Sequence, residues 1–416
     1  MRDIPLKIVL IIFLISFIPR VILLAAVVKI NHGDVTMLVG GNDGYRYCQE
    51  AALLSGKSDY SRAHLADTKL REYGIWWDVP FYPMFLSTFF KLFQPSYLLA
   101  IFLNIILFSL SVPIFYAIGV TLLGETGGIC ATIIYSFYPT LILNSLPPMA
   151  EPLFLVLFLS AFLCFILFLK SPEIKYLILT AILLGLSAMT KEVVLPFILV
   201  PAIVLILENG KRWKRALKSV LVLSIIYAAI ISPIVIYNYN NSGRFVVSGK
   251  MAAYEDCLKK YKQVYTFCGK KSPLPKINAL SIFSLDYFYK RKHFFCSTGT
   301  TDLMRLAGCD TSGLQKVTND PKSFLIALKK SGLGWMAYQL GTLFFITCVY
   351  LSGFCGLLLL IIRRRFKEAA AFLLILFYFL IAYFHNDYSR YFIPVIPFLS
   401  ILSAYFLANF PHLRKS

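Results

Sequence analysis

The sequence predicts an all-α polytopic membrane protein of about ten transmembrane helices, with interfacial helices and one long loop on its outer face. The first observation is composition. Of 416 residues 58% are hydrophobic, 16% aromatic and only 15% charged, whereas soluble domains carry about 25% charged residues. The second is that the apolar residues gather in runs, 8–28, 98–123, 152–169 and 216–237 among them, which approach or exceed the ~20 residues needed to cross a hydrocarbon core. The third is that the basic residues sit mostly between those runs. The net charge of +20 therefore follows from the positive-inside rule and anionic headgroups, and a nucleic-acid partner, which wants a basic face on a soluble domain, is excluded.

Taken in chain order, the run 8–28 is longer than the ~7–15 apolar residues of a signal peptide, lacks a small-residue cleavage site and precedes further spans, so it is expected to be a helix. Residues 29–79 form a first outer segment. The stretch Pro80–Phe93 has two prolines near its start and Lys91 inside. It is too short to span comfortably and predicts an interfacial or partly inserted helix on the outer side. Spans follow at 98–122, 127–147, 152–170, 176–190, 193–207 and 216–237, then a long outer segment, 238–334, and last spans at 335–361, 369–384 and 391–410. With ten crossings, Arg2 and Lys7, Lys170 and Lys175, the cluster Lys211–Arg215, Arg363–Lys367 and Arg414–Lys415 all fall on one side. That side is the cytoplasm, and both termini are cytoplasmic.

Three regions result: a transmembrane module 1–237 that includes the first outer loop, a basic outer subdomain 238–334, and C-terminal transmembrane helices 335–416. The subdomain holds 16 Lys and Arg against 6 Asp and Glu, which would suit an acidic acceptor, the default reading being a solvated surface beside anionic headgroups. It also holds Cys257, Cys268, Cys296 and Cys309. An oxidising compartment allows two disulfides there, in any of three connectivities. No Cys pair has the short spacing of a zinc site.

Polar residues of chemical interest lie at the outer ends of the predicted spans. Asp43 stands in Gly40-Gly41-Asn42-Asp43-Gly44-Tyr45-Arg46-Tyr47, where glycines permit a tight turn that holds a carboxylate at the bundle rim. Tyr45, Cys48, Ala52 and Leu53 then follow at the spacing of a short amphipathic helix. Such a carboxylate can be a general base, although taken by itself an Asp in this position is more often a helix N-cap. Glu151 lies in Pro147-Pro148-Met149-Ala150-Glu151-Pro152, where prolines break the helix and leave backbone that must line a cavity or water. Thr190-Lys191-Glu192 ends the fifth span, and His385-Asn386-Asp387-Tyr388-Ser389-Arg390-Tyr391 forms the last outer turn. Arg390 there suits bidentate binding of a phosphate or interfacial anchoring.

These features, in this order, resemble the GT-C membrane glycosyltransferases of the protein O-mannosyltransferase and aminoarabinose transferase kind. The residues that carry the resemblance are Asn42-Asp43-Gly44-Tyr45 with Ala52 and Gly56, Pro80-Phe81-Tyr82-Pro83, Tyr138-Pro139, Glu151-Pro152, Thr190-Lys191-Glu192, Tyr237-Asn238-Tyr239 with Gly243 and Phe245, and Arg390-Tyr391 with Pro394 and Pro397. The resemblance covers nearly all the spans but not residues 250–330. It implies a GT-C-like fold and transfer of sugar from a polyprenyl-phosphate carrier to a lipid, glycan or protein acceptor on the outer face, with inversion. It also implies a base role for Asp43, a substrate-site role for Glu151, phosphate contacts for Lys191 and Arg390, and substrate binding by Tyr45, Tyr82, Glu192, Asn238, Arg244, His385 and Tyr391. The chain departs from the family pattern twice. Gly44 stands where a second acid is frequent, and Tyr237 where an Arg is frequent, which leaves Lys191 or Arg244 to supply that charge.

No cofactor is implied; a divalent cation is compatible, and no ligand cluster requires one. The membrane is expected to be a bacterial or archaeal plasma membrane rather than the endoplasmic reticulum. Three other readings share the composition, one of them a non-catalytic membrane scaffold, which predicts no carboxylate whose loss abolishes function while assembly persists. A transporter or flippase of lipid-linked sugars wants midplane sites on broken helices and internal repeats, whereas no repeat is visible here. A glycan ligase or polymerase differs in using a preassembled oligosaccharide donor.

Overall fold

A computed structural model describes residues 5–39, 41–57, 78–209, 213–261, 263–265, 271–273, 333–383 and 389–413. The helices are α1 (Leu6–Ile30), α2 (Gly41–Leu54), α3 (Phe81–Leu92), α4 (Tyr97–Ser136), α5 (Pro139–Leu143), α6 (Glu151–Lys170), α7 (Ile174–Thr190), α8 (Leu199–Asn209), α9 (Trp213–Ser242), α10 (Gly249–Tyr261), α11 (Leu333–Ile362), α12 (Phe366–Ala382) and α13 (Ile396–Leu413). Short 3-10 turns cover Thr36–Val39, Glu192–Ile198 and Ser389–Phe392. Five of the described helices, α1, α4, α6, α9 and α11, are long and apolar enough to cross a membrane, and the protein is an integral, polytopic membrane protein. One feature departs from an all-α chain: β1 (Gln263–Tyr265) pairs antiparallel with β2 (Lys271–Pro273), Gln263 opposite Pro273.

Gly and Pro place the interruptions. The expected spans 98–122 and 127–147 are joined as the two arms of α4, which reverses at Gly124 (φ 78°, ψ −179°). The arms approach so closely that a Cβ on Gly119 would lie 2.9 Å from the Cα of Gly128. The second arm ends at Ser136 rather than near 147, because Tyr138 precedes Pro139 and is held extended (φ −65°, ψ 121°). The stretch 193–207 is a 3-10 turn around Pro196 running into α8 rather than one regular helix, since proline removes an amide donor. Pro80–Phe93 contains the 12-residue α3, about 18 Å long at 1.5 Å per residue and shorter than a hydrocarbon core.

The chain divides into two compact units. The first comprises residues 1–46, 96–166 and 291–416. In it α1 and α13 pack on α4, α11 packs on α13, and α12 on α11. Small residues let α11 and α13 meet: Ser403 donates to the Val349 carbonyl at 2.8 Å, and the space a Cβ on Gly356 would need is taken by the Leu402 backbone carbonyl. Helix α1 turns its polar residues inward. Leu10, Ile11, Leu14, Ile15, Ile18 and Ile22 are exposed, while Ser16, Arg20, Leu24 and Val27 are buried. Arg20, inside a run that composition marks as apolar, donates to the Ser16 carbonyl (2.7 Å), the Ser16 hydroxyl (2.8 Å) and the Ser136 carbonyl (3.1 Å). Its guanidinium lies 4.4 Å from the Phe108 ring centre. Arg20 therefore closes the C-terminus of α4 as well as packing α1 against it.

The second unit comprises residues 47–95 and 167–290. Helix α9 packs on α7 and α8, and α3 packs on α7. Gly185 admits Ile230 at the α7–α9 crossing, and the Tyr227 hydroxyl donates to the Leu195 carbonyl at 2.9 Å, holding the 3-10 turn against α9.

Candidate functional site

Three helix interruptions in the first unit meet at one buried ionic cluster. The first is the 3-10 turn Thr36–Val39, after which α2 starts at Gly41 and places Asp43 in its first turn. Asp43 is thus inside the helix rather than in the glycine turn expected ahead of it. Gly44 is required for a different reason: a Cβ there would run into the Val39 backbone carbonyl and come within 3.3 Å of Pro148. The second interruption is the Pro147-Pro148 turn before α6, which begins at Glu151. Asn104 of α4 fixes this turn by donating to the carbonyls of Pro147 (2.7 Å) and Met149 (3.0 Å). The third is the 3-10 turn Ser389–Phe392 ahead of α13, which carries Arg390 and Tyr391.

Asp43 is the hub. Its Oδ1 accepts from Arg46 Nη2 at 2.9 Å, and its Oδ2 accepts from Arg390 Nη2 at 2.7 Å. Arg390 also donates to the Tyr391 hydroxyl (3.2 Å) and reaches Met149 Sδ (3.7 Å). Burial acts to lower the proton affinity of the Arg390 guanidinium. The charges of Glu151, Tyr391 and Asp43 outweigh it and hold the group above its ordinary value. Asp43 and Glu151 are both buried, at 7% and 5% exposure, so each depends on these cations for compensation of its charge. Tyr391 stacks at a tilt on Tyr383, centroids 5.0 Å apart. Tyr45 faces Tyr97 at 6.1 Å.

Of the other residues marked in the sequence, Tyr82, Lys191, Glu192, Asn238 and Arg244 lie in the second unit, where a polar cluster of its own forms. Glu192 accepts from the Ser248 hydroxyl, and Lys250 pairs with buried Asp78. Burial raises the Glu192 carboxyl above its ordinary range, the nearby Asp78 adding to this while Lys250 and Ser248 oppose it. Lys191 follows the last turn of α7 in extended conformation, its amide donating to the Ser187 carbonyl at 2.9 Å. Asn238 is buried and donates to the Val246 carbonyl at 2.8 Å, which fixes the chain after α9. Arg244 is engaged by Asp256 at 2.8 Å and by the Ala252 carbonyl at 3.2 Å. Tyr82 meets Tyr47 edge-on at 5.2 Å.

His385 lies outside the described residues, as do Cys268, Cys296, Cys309 and the side chain of Cys257 on which the disulfide expectation falls. Cys48, Cys130, Cys164, Cys348 and Cys355 are free thiols. Among the described residues no three His, Cys, Asp or Glu side chains gather as a metal-binding group.

Four residues of these clusters escaped the sequence reading: Arg46, Asp78, Ser248 and Lys250. Arg46 had a local signal, three residues after Asp43 on one helix face. Asp78 and Lys250 are far apart in sequence and had none.

Residues 78–237 match the family model described as dolichyl-phosphate-mannose-protein mannosyltransferase. The matched stretch contains Glu151, Lys191 and Glu192 and leaves Asp43, Asn238 and Arg390 outside it. No curated protein matches the chain.

Proposed function

We propose, from the match of residues 78–237 to the family model described as dolichyl-phosphate-mannose-protein mannosyltransferase, that the chain is a membrane glycosyltransferase fed by a polyprenyl-phosphate sugar donor, inverting, and acting on the extracytoplasmic face with Asp43 as general base. The observation that supports this reading is the Asp43–Arg390 pair, 2.7 Å long and coupled electrostatically to Glu151, where three helix interruptions meet. A proton acceptor and a phosphate-binding cation thereby stand side by side.

In the proposed step the acceptor hydroxyl passes its proton to the Asp43 carboxylate while its oxygen bonds to the anomeric carbon. The bond from that carbon to the carrier phosphate breaks, and the polyprenyl phosphate leaves with the electron pair. Single displacement inverts the anomeric centre. Arg390, with Arg46 beside it, stabilises the charge that develops on the leaving phosphate. Glu151 orients the substrate hydroxyls and balances Arg390. The acceptor is a lipid, glycan or protein hydroxyl. The topology proposed is ten crossings with both termini cytoplasmic and residues 29–79 and 238–334 outside.

Positioned base catalysis contributes ~10²–10⁴-fold, so Asp43→Asn should lower turnover by that order while the protein still assembles. Turnover at near the parent rate in a polyprenyl-phosphate sugar assay would remove Asp43 from the mechanism and make Glu151 the leading candidate. A probe cysteine beside Lys211 should stay unlabelled by an impermeant reagent added to intact cells; labelling would overturn the topology.

A further inference from the structure

Both oxygens of the Asp43 carboxylate are engaged by cations, Oδ1 by Arg46 at 2.9 Å and Oδ2 by Arg390 at 2.7 Å. A carboxylate held this way is a poor proton acceptor, because taking a proton forfeits a charge-assisted bond to a guanidinium. The base role assigned above therefore needs a step that loosens one of the two pairs. The two pairs differ in how readily they can be loosened. Arg46 sits one turn from Asp43 on the same helix and holds it locally. Arg390 reaches Asp43 from a different chain segment, the turn before α13, and makes two further contacts, to Tyr391 and Met149, that do not involve Asp43. Glu151 supplies Arg390 with a second negative charge. Arg390 can thus leave Asp43 and remain placed and compensated. A phosphate, with several acceptor oxygens and at least one full negative charge, is the partner a guanidinium fork favours over one carboxylate oxygen.

We propose that the phosphate of the lipid-linked donor takes Arg390 away from Asp43, so that the base is released only when the donor is bound. Asp43 and the carrier phosphate compete for one guanidinium. Deprotonation of the acceptor then waits for the donor, and the substrates add in order, donor first. This rests on the assignment of Asp43 and Arg390 above, but a different measurement tests it.

The probe is polyprenyl phosphate alone, the product that keeps the carrier headgroup, titrated into the full-length protein in nanodiscs with binding read by native mass spectrometry. Asp43→Asn removes the competitor, so polyprenyl phosphate should bind about tenfold more tightly, as expected for loss of one charge-assisted hydrogen bond. Arg390→Gln should bind it more weakly. In the double variant the gain from Asp43→Asn should vanish, because there is no guanidinium left to compete for. If Asp43→Asn binds no more tightly than the parent, or if its gain persists undiminished in the Arg390→Gln background as plain charge repulsion requires, the competition is refuted. Should a variant fail to assemble, the unmodified protein decides: initial rates should show ordered addition with the donor first, and productive acceptor binding ahead of the donor would overturn the proposal. Loss of turnover in Asp43→Asn without tighter binding would leave the base assignment standing and sink the gating alone.

Discussion

Arg20 offers a case in which the chemically conservative substitution should be the more damaging one. It is 2% exposed and lies about 21 Å along α1 from Leu6 and about 15 Å from Ile30, at 1.5 Å per residue, well inside a membrane span. Lysine at this position would keep the charge, and with it an insertion cost of roughly 2.5–3.5 kcal/mol. It would lose the planar fork that serves Ser16 and the Ser136 carbonyl together, and the face contact with Phe108. A bond from a charged donor contributes about 1.5–3 kcal/mol and the cation–π contact about 0.5–2 kcal/mol, so Arg20→Lys should destabilise by about 2–5 kcal/mol. Arg20→Met loses the same contacts and fills similar volume, but sheds the desolvated charge; the difference leaves about 0–2 kcal/mol. Thermal unfolding of the detergent-solubilised protein should rank parent, then Arg20→Met, then Arg20→Lys. If Arg20→Met melts below Arg20→Lys, the cation is stabilising in itself and the balance drawn here is wrong.

Gly356→Ala should destabilise by about 1–3 kcal/mol, because its Cβ meets the Leu402 backbone carbonyl, which cannot rotate away; urea or thermal denaturation in detergent would show it. Gly124→Ala should lose about 1–3 kcal/mol through backbone strain at φ 78°, ψ −179°, a conformation reserved for glycine, whereas Gly334→Ala, which meets nothing within 4 Å, should melt with the parent. Burial raises the Glu192 carboxyl above its ordinary 4.5, so the folded protein keeps this proton to higher pH than the unfolded chain. The stability it contributes is full below about 4.5 and is lost as pH rises through the raised value. Glu192→Gln, which cannot ionise and still accepts from Ser248, should flatten that decline in a melting-temperature series against pH.

Helices were legible where one signal sufficed. Apolar length marked α1, α4, α6, α9 and α11, and Gly124 falls in the gap left between two expected spans. What a linear count cannot show is which way a residue faces. Ser16 and Arg20 were absorbed into an apolar run because the lipid-facing isoleucines around them dominate its average. The 3-10 course of Glu192–Ile198 was hidden for a related reason, since Val193, Val194 and Leu195 keep the run apolar while Pro196 alters its hydrogen bonding. At the site, Asp43, Glu151 and Arg390 were marked by the turns that surround them, but Arg46 was not. Setting the helix start after the glycines rather than at Gly41 removed the i, i+3 relation that would have exposed it. The Asp78–Lys250 pair arises only from tertiary folding and left no mark on either segment.

The positions of the charged residues follow from the same solvent argument that sets the helices. Inside a span each backbone group is satisfied by the helix and each side chain is exposed to lipid or packed, so a carboxylate there has no compensation. At a break the backbone is already polar and small: Gly44 lets the Val39 carbonyl approach, and Pro147-Pro148 frees carbonyls that Asn104 binds. Asp43, Glu151 and Arg390 each stand within or immediately after such a break. Their charges therefore compensate one another, as the 2.7 Å Asp43–Arg390 bond and the field of Glu151 at Arg390 show. A cluster balanced internally in this way is sensitive to any new anion. In the mechanism proposed above, an entering phosphate takes a cation from an acid already present, so that binding the donor and releasing the base are a single event.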